Sequence, residues 1–222
     1  INDPKTAAAL VEEAKGANAS QIRFDRVFFL GAGDTPDYTT ETSLAAQAAD
    51  AGEHWSETFL RLTRDTEGRA LFNYRMFAGS LTEQAELFRN TRLYPGLGDA
   101  GAHVSQIMDA GWSSFMLSHW HRETGFYSLP AVIERMTSGP ARIVGLHDRG
   151  TLAEGMRADV NVFDLENVGE MQPQLVHDFP GGAPRYIQRA RGFKATIVNG
   201  ELSLLDGELT GTRAGRVLRH GR

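Results

Sequence analysis

The apolar positions of this 222-residue chain follow two rhythms, helical over most of the first 150 residues and strand-like after them. Asp3-Pro4 followed by "KTAAALVEEAK" predicts a helix with proline in its first turn and Gly16 just past its end. "FDRVFFLGAG" (24–33) is a compact apolar run closed by glycines, short enough for a buried strand. "TSLAAQAADAG" and "SETFLRLTRDTEG" predict a helix pair stopped by Gly52 and Gly68. In "SLTEQAELFRN", Ser80 and Glu83 have capping-box spacing, and Leu81, Ala85 and Phe88 form one stripe. "RLYPGL" (92–97) reads as a short or bulged strand because of Pro95, which places Asp99 just beyond a strand's C-terminal end.

"LPAVIERMTSGPARIVGL" predicts two short helices, opened by Pro130 and closed by Gly145. From Arg149 the pattern changes. "GTLAEGMRADVNVFDL" gives a glycine-marked turn and then a strand through Val160, Val162 and Leu165, while Asn199-Gly200 and Asp206-Gly207 separate short β-like runs as hairpin turns do. The predicted organisation is two regions, 1–150 and 151–222, the second a β-meander with one irregular loop, 177–192.

Apolar residues make up 41% of the chain, enough to bury a core. A net charge of −5 gives no reason to expect nucleic acid or an anionic membrane as partner, and no run is long enough for a membrane span. With no cysteine, any metal would need His, Asp or Glu, and the composition fits a cytoplasmic protein.

Candidate chemistry is sparse. In "LYPGLGDAGAHV" (93–104) Asp99 lies among glycines that either make an ordinary turn or clear the backbone for a ligand. Parallel α/β barrels keep their chemistry at such strand ends. His103 suits either the same pocket or a capping, partly buried place. His119 and His121 in "HWH" would share a face in a strand, as a metal pair requires, but diverge on a helix, and the surrounding sequence is not strand-like. "GAGDT" (31–35) lacks the spacing of a nucleotide loop, and no Gly-x-Ser-x-Gly elbow is present. Arg185, Arg189 and Arg191 form a local basic group suited to salt bridges.

"GLGDAGAHV", the stretch from Thr137 to Asp159 and "ATIVNGELSLLDGELTGTRAGRVLR" together resemble the amidohydrolase superfamily, in its D-aminoacylase-like (N-acyl-D-amino-acid deacylase) branch. The resemblance implies an α/β fold: the C-terminal portion of a (β/α)8 TIM barrel over 1–150, with 151–222 contributing strands to a small β-sandwich domain. It implies one or two divalent ions, usually zinc, and Asp99 as both metal ligand and general base and acid toward a metal-activated water attacking a small-molecule amide. Gly98 stands where the family usually has serine, and "HWH" does not replace the family's metal-binding His-x-His. A whole barrel takes roughly 250 residues. The expectation is therefore that the missing ligands and strands come from an N-terminal portion or another chain, that this chain alone holds no tight metal, and that it is inactive alone. The alternative is a non-catalytic module that packs against another chain or a second copy.

Overall fold

The computed structural model describes residues 1–16, 22–96, 98–103, 105–107 and 109–219. They fall in two compact units, Ile1–Asn90 and Thr91–Arg222. Among the described residues no helix is long and apolar enough to cross a membrane.

In the first unit, α1 (Pro4–Gly16) begins where the Asp3 carboxylate accepts hydrogen bonds from the Thr6 amide at 2.9 Å and hydroxyl at 2.6 Å. A 3-10 turn, Phe24–Arg26, leads into β1 (Val27–Phe29), so only three residues of the apolar run 24–33 become strand. α2 (Leu44–Ala51) is capped by Ser43, whose Oγ accepts from the Ala46 amide at 3.1 Å, and stops at Gly52 with φ 66°. α3 (Trp55–Asp65) packs on α2 and stacks Trp55 on Phe24 with ring centroids 3.6 Å apart. β2 (Phe72–Tyr74) pairs antiparallel with β1. Phe28, Leu30, Leu44 and Ala48 are the buried centre of this unit. Buried Arg75 lies 3.7 Å above the Phe28 ring and donates to the carbonyls of Tyr38, Thr40 and Gly79, gathering the loops on either side of β2.

α4 (Leu81–Phe88) half-buries the predicted stripe of Leu81, Ala85 and Phe88. Its capping differs in one detail. Ser80 Oγ accepts from the Glu83 amide at 3.1 Å, but the Glu83 carboxylate reaches back to the Gly79 amide at 2.7 Å, one residue short of the expected reciprocal partner.

In the second unit, α5 (Trp112–Phe115) runs into a π-helix, Met116–Glu123, whose residues from Met116 to Trp120 are buried. α6 (Leu129–Met136) opens with Pro130 behind the Ser128 cap, and α7 (Ser138–Ile143) is followed by left-handed Gly145, as the two-helix reading predicts. β3 (Val160–Phe163) is shorter than expected, leaving Leu165 outside the strand. β4 (Gly169–Glu170), β5 (Gln174–Val176), β6 (Arg185–Ile187) and β7 (Ala190–Arg191) make two small ribbons, β4 with β7 and β5 with β6. The stretch 177–192 is thus not one irregular loop. Arg185 clasps Asp178 through two 2.7 Å hydrogen bonds and closes a hairpin there. β8 (Phe193–Val198), β9 (Glu201–Leu205) and β10 (Glu208–Leu209) form the meander, in the sheet order β10-β9-β8-β3. Its turns carry left-handed pairs, Asn199 and Gly200 at φ 50° and 83°, Asp206 and Gly207 at 46° and 87°, as two-residue hairpins require.

Every strand pairing among the described residues is antiparallel, so the parallel ladder of a barrel is not formed by them. The strand expected over 92–97 is also absent: residues 92–96 are loop, and Leu97 lies outside the described residues. A strand needs a neighbour to bond with, and here the Leu93 carbonyl accepts from the Arg135 guanidinium while Pro95 has no N–H to offer.

Ser43→Ala should lower the unfolding free energy by about 1 kcal/mol through loss of the α2 cap. The measurement is a urea midpoint shifted downward at unchanged slope.

Candidate functional site

The loop that carries Asp99 has no ladder of its own and is held by side chains. Buried Arg135, on α6, donates to the Leu93 carbonyl and places its guanidinium 5.5 Å from the Tyr94 ring centroid and 4.8 Å from that of Tyr127. This is a cation held between two aromatic faces, a favourable setting for a charge taken out of water. Tyr94 also donates its hydroxyl to Glu134 at 3.3 Å and lies flat against Gly139 of α7. A methyl group on Gly139 would overlap the Tyr94 ring, so close approach is the reason for a glycine there.

Beyond this anchorage the backbone turns. The Ala102 amide donates to the Asp99 carbonyl at 2.9 Å, with Gly101 at φ 86°. Gly101 is therefore explained by its turn, since an L side chain rarely adopts that conformation. Asp99 is exposed. A helix does not follow directly. Further turns intervene, and the first helical residue is Trp112.

The charge of Asp99 acts on a second carboxyl, that of Asp109. Asp109 sits in the left-handed region at φ 60°, and its carbonyl accepts from the Trp112 amide at 3.1 Å. Its residue surface is open, yet neighbouring protein crowds the carboxyl, and this loss of hydration followed by the charge of Asp99 pushes its pKa up from the ordinary 3.8. Sequence reasoning passes over Asp109. The available signal is the tripeptide Asp-Ala-Gly, present at 99–101 and again at 109–111.

The other candidates go elsewhere. His103 is exposed and heads no helix; its carbonyl accepts from the Gln106 amide at 3.2 Å, so the capping and partly buried readings are both corrected. His119 and His121 stand on the π-helix and do not converge. His119 stacks on Phe115 with centroids 4.7 Å apart and its Nδ1 lies 3.3 Å from Glu123, whereas His121 Nδ1 donates to the Tyr127 carbonyl at 2.9 Å. Arg185 pairs with Asp178, Arg191 donates to the Glu170 carbonyl at 3.1 Å, and Arg189 is exposed. Asp159, which ends the Thr137–Asp159 stretch, serves the scaffold. One of its oxygens accepts from Arg149 and the other from the Asn199 amide, each at 2.8 Å, fastening the β8–β9 turn to the preceding loop.

Among the described residues no three His, Cys, Asp or Glu side chains come together as a metal site. Asp99 and Asp109 supply two carboxyls, and a catalytic zinc takes three protein ligands. The residues present therefore do not fit a whole zinc centre.

Residues 94–203 match the sequence model of the Amidohydrolase family. The chain is 36% identical over 110 residues to N-acyl-D-glutamate deacylase of Alcaligenes xylosoxydans xylosoxydans, an alignment covering 49% of this chain and 20% of that protein. It is 37% identical over 113 residues to the N-acyl-D-aspartate deacylase of the same organism, covering 50% and 21%. It is also 32% identical over 146 residues to dihydroorotase of Archaeoglobus fulgidus, covering 60% and 34%. In fold it is similar to a crystal structure of D-aminoacylase, with TM-score 0.51 and 22% identity over 96% of this chain and 45% of that one. A D-aminoacylase mutant in complex with CuCl2 gives TM-score 0.50 and 24% identity, covering 96% and 46%. The chain thus has a mixed α/β fold resembling D-aminoacylase and spans less than half the length of these relatives.

Two measurements check the site. Asp99→Asn should bring the Asp109 pKa down toward its ordinary value, read by carboxyl 13C NMR titration. A raised folded-state pKa means that the folded chain binds the extra proton as pH rises above 3.8, so this group's contribution to stability falls through that window. Asp109→Asn should flatten the fall. Gly139→Ala should lower stability by about 1–3 kcal/mol through overpacking against Tyr94, read from denaturant unfolding.

Proposed function

We propose, from the amidohydrolase homology of residues 94–203, that the protein containing this chain hydrolyses the amide of an N-acyl-D-amino acid or a related linear amide. One observation carries the reading. The segment 94–203 includes the exposed turn at Asp99 and the Tyr94–Gly139 contact beside it, and the chain is 36–37% identical over about half its length to deacylases of N-acyl-D-glutamate and N-acyl-D-aspartate.

Amide hydrolysis needs a group that removes a proton from water as its oxygen attacks the carbonyl carbon, and then returns a proton to the nitrogen as the C–N bond breaks. Asp99 is assigned both transfers. Crowding by neighbouring protein, and then the charge of Asp99, push the Asp109 carboxyl's pKa up from its ordinary value, so Asp109 is a second carboxyl that Asp99 acts on. Zinc, which the family resemblance implies, would polarise the carbonyl and acidify the water. Its ligand set exceeds what the described residues supply. The remaining barrel strands and ligands are assigned to sequence outside this chain or to a partner chain.

The test uses the protein that contains this chain, supplied with zinc and assayed for release of free D-amino acid from N-acetyl-D-glutamate and N-acetyl-D-aspartate. Hydrolysis is expected, and Asp99→Asn should reduce kcat by about 10²- to 10⁴-fold with an unchanged circular dichroism spectrum. Turnover retained in the folded variant would remove Asp99 from the chemistry; no amide hydrolysis by the parent protein would overturn the reading.

A further inference from the structure

The start of α5 rests on a buried carboxyl that the proposed chemistry does not use. A Cβ added to Gly111 would lie 2.8 Å from Glu170 Cγ and 2.9 Å from Gln188 Oε1, so both side chains occupy the space beneath the glycine. Glu170 is 6% exposed. Its Oε2 faces the Ser118 hydroxyl at 3.4 Å, on the π-helix, and its Oε1 has no hydrogen-bond partner. The β4–β7 pairing sets Glu170 opposite Ala190, and Arg191 donates to the Glu170 carbonyl, so the backbone beneath the side chain is fixed. Burial pushes the carboxyl's pKa up, Glu123 acts in the same direction, and Ser118 and Arg191 oppose it.

Gly111 is two residues from Asp109. The Trp112 amide bonds to the Asp109 carbonyl and the Phe115 amide to the Gly111 carbonyl, so backbone hydrogen bonds tie Asp109 and Gly111 to α5. The left-handed backbone at Asp109 persists where its surroundings over-determine it. The contact beneath Gly111 supplies that constraint, and it comes from a segment some 60 residues further along the chain.

We propose that Glu170 is a positioning residue for Asp109: wedged under Gly111 and tied to Ser118, it sets the place of the Asp109–Trp112 turn from the β4–β7 ribbon. The inference depends on the hydrolase reading only for the use to which Asp109 is put. A residue that merely filled space would be replaced equally well by any side chain of similar volume. A positioning residue needs its polar end as well, because that end ties the wedge to the π-helix.

The experiment compares Glu170→Gln with Glu170→Met in the 222-residue chain, by amide chemical shifts and hydrogen exchange of Asp109, Gly111 and Trp112. Glutamine keeps both volume and hydrogen bonding and should leave the three residues as in the parent chain. Methionine keeps the volume alone and should shift their resonances and speed Trp112 exchange by about tenfold. Equal behaviour of the two variants, whether both silent or both disruptive, overturns the proposal. Should Glu170→Met fail to fold, Gly111→Ala replaces it: its methyl must displace Glu170 or Gln188, and a folded variant with unmoved Asp109 and Ser118 resonances overturns the proposal too. None of these readouts is turnover, so a failed hydrolase reading would leave this result standing.

Discussion

The site depends on how a loop without a β-ladder is kept in place. Backbone polar groups must find partners, and a segment that contributes to no sheet has to find them among side chains. Between Leu93 and Gly96 the decisive partner is Arg135: its guanidinium takes the Leu93 carbonyl and stacks on Tyr94 and Tyr127. Burying an unpaired cation is costly, and here two aromatic faces and a carbonyl oxygen replace the lost water. Tyr94 is then seated on α7 by the absence of a side chain at Gly139. Without that seat the turn at Asp99 would have no fixed origin, because Gly101 and the neighbouring small residues supply shape and almost no contact area.

What can be read from the sequence is mostly local. Asn199-Gly200 and Asp206-Gly207 predict left-handed hairpin turns because the requirement lies in the two residues themselves. Gly52, Ser80, Pro130 and Gly145 mark helix ends for the same reason. The misreadings concern partners distant in sequence. "RLYPGL" has strand-like side chains, but its backbone is satisfied by Arg135, about 40 residues away, which no window around Pro95 contains. The segment 177–192 has a loop's composition and still forms β6 and β7 in its second half, because their partners β5 and β4 precede the Asp178–Arg185 clasp. Asp99 is legible through its glycine setting and the family resemblance. Asp109 is not, because the crowding and the charge of Asp99 that push its pKa up come from the fold, which spacing alone does not encode.

The two carboxyls are supported from opposite ends of the matched segment. α6 and α7 hold the approach to Asp99, while the β4–β7 ribbon underlies the turn after Asp109 through Glu170, Gln188 and Gly111. Both supports work by exclusion as much as by attraction. Gly139 and Gly111 are sites where one added carbon would overlap Tyr94 or meet Glu170 and Gln188, so these glycines act as spacers between secondary structure and side chains packed on it. Small residues in such sequences are easily credited with making room for a substrate, yet at these two positions the occupant is the protein's own side chain.

This division bears on the stretch from Thr137 to Asp159, which resembles the amidohydrolase pattern and is poor in chemistry. From Thr137 to Asp159 the recognisable residues build a helix, seat Tyr94 and, through Asp159, pin Arg149 to the β8–β9 turn. Catalytic carboxyls can be few, since one correctly placed group moves a proton as well as several. Their placement, by contrast, requires many mutually consistent packing relations spread over distant segments. A family pattern therefore records scaffolding more densely than it records chemistry. The matched segment opens at Tyr94, the residue through which the aspartate loop is fastened to that scaffold, and five residues later it reaches Asp99.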